Sequence, residues 1–546
     1  MDPISEVDAS GNGGNLMGRW AATSYILGCV IGSGIFITPT GILNNVQSVG
    51  ASLLIWLASG LITILGALCY LELGTSIRKS GCDFAYLCHM RWVGLAFAFM
   101  TCSCIFMGPG SLAIQAETFT EYFVRGFKLE FCDPFVKSAV HKLITFSVLL
   151  PLFFLNCFSI NGVVSRFQII SMIAKMAACA IIVVSGILFW VTQGAHSNNF
   201  AQPFANSNFE PGKVVLALFS GLFSYGGWDI LNTGIEDIAH PHRTMPFAII
   251  AGMAIVILLY MTMNVSYFAV LTVTEMRTSN AIAMTFSERV FHGYLQYLMP
   301  FLVCIVLIGS LNATLFGGSR MLWAIARDGY FPSFISCINR KHGSPRAALF
   351  IFVVLAMLFS FLGDLDELIG YVEFTNWVVR CCTMVALFCI RFGHRADLIH
   401  PEALRVPLVL PIVYFFVCLS LVVVTVVRNF KSAMIGLSFQ AFGLFVYLVF
   451  IWPPAISRFS NYRNVAHRIN SKMSAVAQIV FDGAIEVKDR RQNEDGLFSL
   501  MTDGDNDHLS STHKENSTTS SSSSSRRRPR TRRHLKDGKK VYPMEK

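Results

Sequence analysis

Charge is scarce in this sequence. Of its 546 residues only 14% are Asp, Glu, Lys or Arg against 53% hydrophobic, and the mean hydropathy is +0.54. That is too little charge to cover the surface of a soluble domain, so the chain is read as an integral membrane protein. Residues 1–18 are polar and Gly/Asn-rich and lack the short apolar core and small-residue cleavage site of a secretory signal. The first apolar run is therefore expected to act as its own insertion signal. The thirteen histidines are scattered, no Cys-x-x-Cys pair lies outside the apolar runs, and no phosphate loop or hydrolase pattern occurs. An enzyme is not expected, nor a metal or cofactor. A channel is disfavoured because neither a filter loop nor a ring of charges is found. External Asn-x-Ser/Thr sequons are also missing, since Asn264 and Asn312 fall inside apolar runs and Asn516 in the polar tail.

What is present is apolar sequence in lengths of about 20 residues, the length that spans a bilayer. Twelve such runs lie near 20–44, 49–74, 92–124, 139–157, 163–192, 213–238, 245–273, 295–327, 346–363, 368–390, 406–427 and 433–452. The expected organisation is an N-terminal segment 1–18, a twelve-helix domain 19–454 and a disordered, basic and Ser-rich tail 455–546. Arg78, Lys79, Arg91, Arg166, Arg243, Arg340, Lys341, Arg346, Arg391, Arg395 and Arg405 enrich one set of loops in positive charge. That set should face the cytoplasm, and both termini with it. The tail holds 18 Lys/Arg and 11 Asp/Glu and so carries most of the net charge of +10. Tethered at a membrane, its RRRPRTRR cluster at 526–533 meets anionic lipid before nucleic acid, and no nucleic-acid role is expected.

Two of the runs are broken. CVIGSGIFITPT at 29–40 and SGLFSYGGWDILNTG at 220–234 place Gly32, Ser33 and Gly34, then Gly226 and Gly227, where a membrane helix should be continuous. Freed backbone groups are tolerated at membrane depth only beside protein or a water-filled cavity, and paired interruptions point to a transporter's binding site. The other reading of these glycines is close helix packing. A broken helix offers exposed N–H groups at the start of its outer half and exposed C=O groups at the end of its inner half, so one site can hold both charges of a zwitterion. Lys175 lies inside the fifth apolar run, where an ammonium needs a partner unless it snorkels to the interface. Of the fifteen cysteines, most sit in apolar runs as small hydrophobes. Cys132 falls in the polar segment between the third and fourth runs, on the expected outer side. It is read either as an intermolecular bridge or as a free thiol.

The motifs IGSGIFITPTGIL (31–43), FSGLFSYGGWDILN (219–232), HPHRTMPFAI (240–249), GSLNATLFGGSRMLWAIARDG (309–329) and EFTNW (373–377) resemble the light-chain subunits of heteromeric amino-acid transporters. The branch they resemble is the L-type and y+L-type branch of the amino acid, polyamine and organocation superfamily. The resemblance covers residues 18–455. It implies an all-α membrane fold with a LeuT-like core of two inverted five-helix repeats plus two accessory helices. It further implies exchange of L-amino acids at the plasma membrane by alternating access, with a type II membrane glycoprotein heavy chain bonded through Cys132. Carried onto this sequence, the amides of Ser33 and Gly34 take the substrate carboxylate, and the carbonyls of Val30, Phe223 and Gly226 take the ammonium. Phe223 is the expected extracellular gate and Trp228 a pocket wall. Phe374, Asn376 and Trp377 are further pocket candidates, and Lys175 stands where sodium-coupled relatives hold an ion.

Asp229 departs from the Asn that many neutral-substrate relatives carry after the Trp. Two readings stand: a carboxylate beside the substrate that favours basic amino acids, or a cap for the restarted helix. Glu373 is a second candidate acid. The rival functions are a stand-alone cationic amino-acid uniporter and a non-transporting amino-acid sensor or scaffold.

Overall fold

The computed structural model describes residues 18–78, 81–129, 133–158, 163–193, 198–233, 235, 238–279, 281–291, 298–327, 331–339, 343–362, 365–392, 403–448 and 460–485. The chain enters as α1 (Arg19–Val30) and α2 (Gly34–Val46), which meet at a bend of 51°. There follow α3 (Val49–Ile77), α4 (Asp83–His89), α5 (Val93–Cys102), α6 (Gly108–Gly126), α7 (Pro134–Phe158) and α8 (Val163–Gln193). The second half holds α9 (Pro211–Ser224), α10 (Ile230–Thr233), α11 (Pro241–Val270), α12 (Val273–Thr278), α13 (Ile282–Val290) and α14 (Leu298–Arg327). It ends with α15 (Arg346–Phe359), α16 (Leu365–Phe392), α17 (Val409–Arg428), α18 (Phe430–Val446) and α19 (Ser460–Phe481).

Among the described residues eight helices are long and apolar enough to cross a membrane, and nine if the bent pair α1–α2 counts as one. At the three remaining apolar runs stand the shorter helices α9, α15 and α18. Large apolar side chains point outward along these helices, Val191, Phe301 and Val427 among them, which is the surface a bilayer solvates. The protein is a multi-pass membrane protein.

Local chemistry sets several boundaries. The Ser48 hydroxyl accepts from the Ala51 amide at the start of α3, and Thr272 with Glu275 forms a reciprocal capping box on α12. Prolines open α9 and α11 in the first turn, where no amide partner is lost. Between α5 and α6 the helix widens into a π turn at Ser103–Met107. Pro109 follows and has no N–H to return to the residue four before it, so the ladder loosens upstream. The 92–124 run is thus one span with a bulge in it.

Inside the bundle, α1 and α8 pack on α11, α2 on α9, and α6 and α8 on α14, around a continuous apolar core. At one end Arg391 of α16 is forked onto Glu72 of α3, with Nε to Oε1 at 2.6 Å and Nη2 to Oε2, and it also donates to the Val406 carbonyl. The Val406 amide returns a bond to Glu72 at 3.1 Å. The two bonds to Val406 meet part of what the ion pair leaves unsatisfied, which is what makes a buried pair favourable.

Residues 460–485, assigned by composition to the polar tail, form α19 and the strand β2 (Ala484–Ile485), which pairs antiparallel with β1 (Cys337–Ile338). The polar average of this stretch conceals apolar residues at helical spacing, among them Ala477, which is buried on docking. Residues 486–546 lie outside the described residues.

Candidate functional site

Both glycine-bearing breaks open the helix at the same place in the bundle. The first falls at residues 31–33, between α1 and α2. The second covers residues 225–229, between α9 and α10. Gly227 has φ +93°, and a Cβ there would meet the Cys29 backbone at 3.3 Å, so both conformation and space require glycine. Gly34 is tighter. A Cβ on it would lie 2.6 Å from Ser224 Cα, which joins the start of α2 to the end of α9 without clearance. Above this seam the Thr38 and Ser224 hydroxyls are 2.6 Å apart. Close packing and chain interruption therefore occur together here.

Tyr260 of α11 ties the breaks to each other. Its hydroxyl lies 2.9 Å from the Val30 carbonyl and 3.1 Å from the Ser224 carbonyl, the last residues of α1 and α9. Each of these carbonyls has lost its partner one turn on, and a single O–H reaches both.

Beside the seam lies a cavity of about 400 Å³, in the range of small-molecule sites. Val30, Ser33, Gly34, Phe223, Gly226 and Asp229 line it, and so does Asn376. Ser33 and Gly34 stand at the first turn of α2, where amides have no carbonyl a turn back, and the Ser33 side chain makes no cap bond. The Phe223 carbonyl accepts from the Gly226 amide at 3.1 Å, and its half-buried ring packs against the cluster containing Ile37 and Phe106.

Other candidates stand back from the cavity. Trp228 is buried edge-on against Tyr70, with ring centroids 5.0 Å apart. Phe374 is buried facing Gly436, and Trp377 is buried with its indole N–H donating to Glu373 at 3.1 Å. Lys175 reaches the Gly28 carbonyl in α1 at 3.2 Å, one turn before the break. Cys132 lies outside the described residues.

The sequence reading passed over Arg380. Its guanidinium lies between two rings, 5.0 Å from the Trp228 centroid and 4.9 Å from that of Trp377. It lines the cavity with Asp229 and Glu373 and is within electrostatic range of both. Glu373 is buried and accepts from Asn376 at 3.3 Å and from Trp377. The signal was available, because Glu373, Asn376 and Arg380 follow at i, i+3 and i+7 on one helix face. The opposite wall adds Gln115 of α6, which donates to Thr314 of α14 at 3.0 Å, and Ser111 and Ser310 beside them. Two acidic side chains, Asp229 and Glu373, thus share the cavity lining with one guanidinium.

Residues 17–452 match the family model described as amino acid permease. The chain is 45% identical to amino acid transporter protein 6 of Caenorhabditis elegans over 466 residues, 85% of this chain and 88% of that protein. It is 35% identical to b(0,+)-type amino acid transporter 1 of Mus musculus, covering 81% of this chain and 90% of the relative. Large neutral amino acids transporter small subunit 2 of Mus musculus is 32% identical over 87% of this chain and 89% of the relative. The family read from the motifs is thus the one that the chain matches along most of its length.

Proposed function

The chain belongs to the amino acid permease family, and from that premise we propose that it exchanges L-amino acids across the plasma membrane by alternating access as the light chain of a heterodimer. The observation that carries the reading is the cavity between the two broken helices, with helix-start amides at Ser33 and Gly34 and carbonyls at Val30, Phe223 and Gly226 around one space. An α-carboxylate and an α-ammonium need those two kinds of partner. Twelve spans in a five-plus-five inverted repeat with two accessory helices complete the proposal, supported by the placement of the breaks in the first and sixth apolar runs. Both termini face the cytoplasm in this reading, following the Lys and Arg bias.

The substrate side chain extends toward α6 and α16. The surplus negative charge from Asp229 and Glu373 against Arg380 favours a basic side chain, or a neutral one accompanied by a cation. Lys175, bonded to the carbonyl before the first break, takes the place of a coupling ion and holds α1 against α8. The heavy chain joins through Cys132 and supplies the glycosylation that this chain has no external sequon for.

Efflux from loaded proteoliposomes tests the mechanism. Radiolabelled lysine or leucine should leave several-fold faster into buffer containing an amino acid than into empty buffer. Equal rates would reject obligatory exchange, and a sensor or scaffold would give no flux at all.

A further inference from the structure

Helix α19 stands away from the cavity and has two different faces. One is fastened to the short 3-10 turn Ser333–Ser336: Asn470 accepts from the Ser333 amide at 3.0 Å and donates to its hydroxyl at 2.8 Å, and the Ser474 hydroxyl adds a contact at 3.0 Å. The other face is apolar and uncovered. Ile469, Met473, Val476 and Val480 follow at i, i+4, i+7 and i+11, a stripe within about 60° of rotation. All four are exposed, from 44% at Met473 to 66% at Val480. Arg468 and Lys472 are exposed along one edge of the stripe. Residues 460–481 also include Arg463 and His467 and contain no Asp or Glu.

The position of the helix end identifies what covers the stripe. The Phe481 ring lies 5.9 Å from that of Phe350 on the membrane helix α15, and Phe350 in turn meets Phe153 of α7 at 6.2 Å. Phe350 is 48% exposed and the adjacent Phe154 54% exposed, so both belong to the lipid-facing apolar belt. Arg346, in the first turn of α15, donates to the Phe481 carbonyl at 3.0 Å and holds this end at the start of that membrane helix. Val480, the last residue of the stripe, immediately precedes Phe481. A basic amphipathic helix without acids, joined to the belt at one end, suits an anionic bilayer surface.

We infer that α19 is an interfacial helix that seats Ile469, Met473, Val476 and Val480 in the cytoplasmic leaflet, with Arg468 and Lys472 on anionic headgroups. This rests on the cytoplasmic orientation proposed above, and beyond that reading it assigns the start of the polar tail to the lipid surface. It also couples leaflet composition to the turn Ser333–Ser336 and to the ends of α7 and α15 that α19 holds. The Cys157 carbonyl in α7 accepts from Ser344 at 2.8 Å and, at 3.4 Å, from the Arg346 side chain that binds Phe481.

The test uses the full chain in nanodiscs of phosphatidylcholine alone or with about 30% phosphatidylserine, the anionic cytoplasmic lipid. Val476→Cys on the stripe and Gln478→Cys on the far side are mass-tagged with a maleimide, and the wild-type chain sets the background from native thiols. In the anionic discs position 476 should react at least about tenfold more slowly than position 478. Arg468→Gln with Lys472→Gln should remove most of that protection, since each basic residue near the surface contributes about a fivefold preference. Equal reactivity at 476 and 478 in anionic discs would overturn the inference. Should Val476→Cys lose amino-acid uptake, Val480→Cys gives the same comparison. Sidedness is read separately: labelling of Gln478→Cys on intact cells by an impermeant maleimide overturns the cytoplasmic orientation, while the nanodisc rates still decide whether the helix seats in lipid.

Discussion

Replacing Asp229 by Asn removes one of the two carboxylates at the cavity and leaves Glu373 balanced by Arg380. The surplus negative charge disappears while shape and size stay nearly constant. Two unit charges about 6 Å apart interact by roughly 3 kcal/mol at an effective dielectric of about 20. Desolvating a basic side chain consumes part of this, and a charge-assisted contact contributes about 1.5–3 kcal/mol in all. A loss of about 1–2 kcal/mol for lysine and arginine relative to leucine is therefore expected, which is roughly five- to thirtyfold in relative uptake efficiency. Competitive uptake of labelled lysine, arginine and leucine into proteoliposomes measures it, with kcat/KM compared for each pair. Equal losses for all three would refute the argument and assign Asp229 to the shared ammonium or to the restart of α10. Retention of the basic preference would instead put selectivity on Glu373.

Gly34→Ala should lower both the melting temperature and transport, because its Cβ would lie 2.6 Å from the Ser224 backbone, whereas Gly32→Ala has only the Val30 carbonyl at 3.8 Å and should fold normally. Equal thermal stability of the two variants would show that the seam has slack. Tyr260→Phe removes the hydroxyl at the Val30 and Ser224 carbonyls and should cost about 1–3 kcal/mol of stability, read as a lower thermal midpoint with uptake reduced for every substrate; an unchanged midpoint would mean that water satisfies both carbonyls. Glu72→Gln leaves Arg391 buried without its counter-charge and should destabilise by about 3–5 kcal/mol, seen as loss of monodisperse protein on size-exclusion chromatography after mild heating. Undiminished heat resistance would mean the guanidinium is hydrated there. Cys132→Ser should abolish a reductant-sensitive heterodimer on non-reducing gels, and a wild-type chain that runs as a monomer while reaching the surface alone would defeat the light-chain proposal.

Sequence revealed the features whose chemistry is local. Closely spaced glycines inside apolar runs pointed to broken helices at Gly32 with Gly34 and at Gly226 with Gly227, all of which line the cavity, whereas the pair Gly317 and Gly318 sits inside the continuous helix α14. Apolar run length found the membrane helices within a few residues, but α9 and α10 were read as one run because a turn of five residues scarcely lowers the local hydropathy. Features made across the bundle stayed hidden. Tyr260 sits in ILLYMTMN and looks like any packing aromatic until α11 is laid against both breaks. Arg380, midway along the 368–390 run, was passed over because its ring partner Trp228 and the facing Asp229 come from the break between α9 and α10, far from it in sequence. The Gln115 and Thr314 pair joins residues about two hundred positions apart, which no periodicity reports. In the tail, averaging over many polar residues concealed α19, whose apolar positions become legible only at helical spacing.

The seam between Gly34 and Ser224 also limits which sequences can share this architecture. A crowded pair in a protein core is usually relieved from either side, since a larger residue on one helix is accommodated by a smaller one opposite. Here the nearest atom to an added Cβ is Ser224 Cα, with the hydroxyl and Cβ of that serine at 2.8 and 3.0 Å. Trimming position 224 to glycine takes away the second and third obstacles and leaves the first. Position 34 consequently has no compensating partner at 224, and a selection for second-site revertants of Gly34→Ala should return backbone-displacing changes elsewhere along α2 or α9, with none at 224 alone.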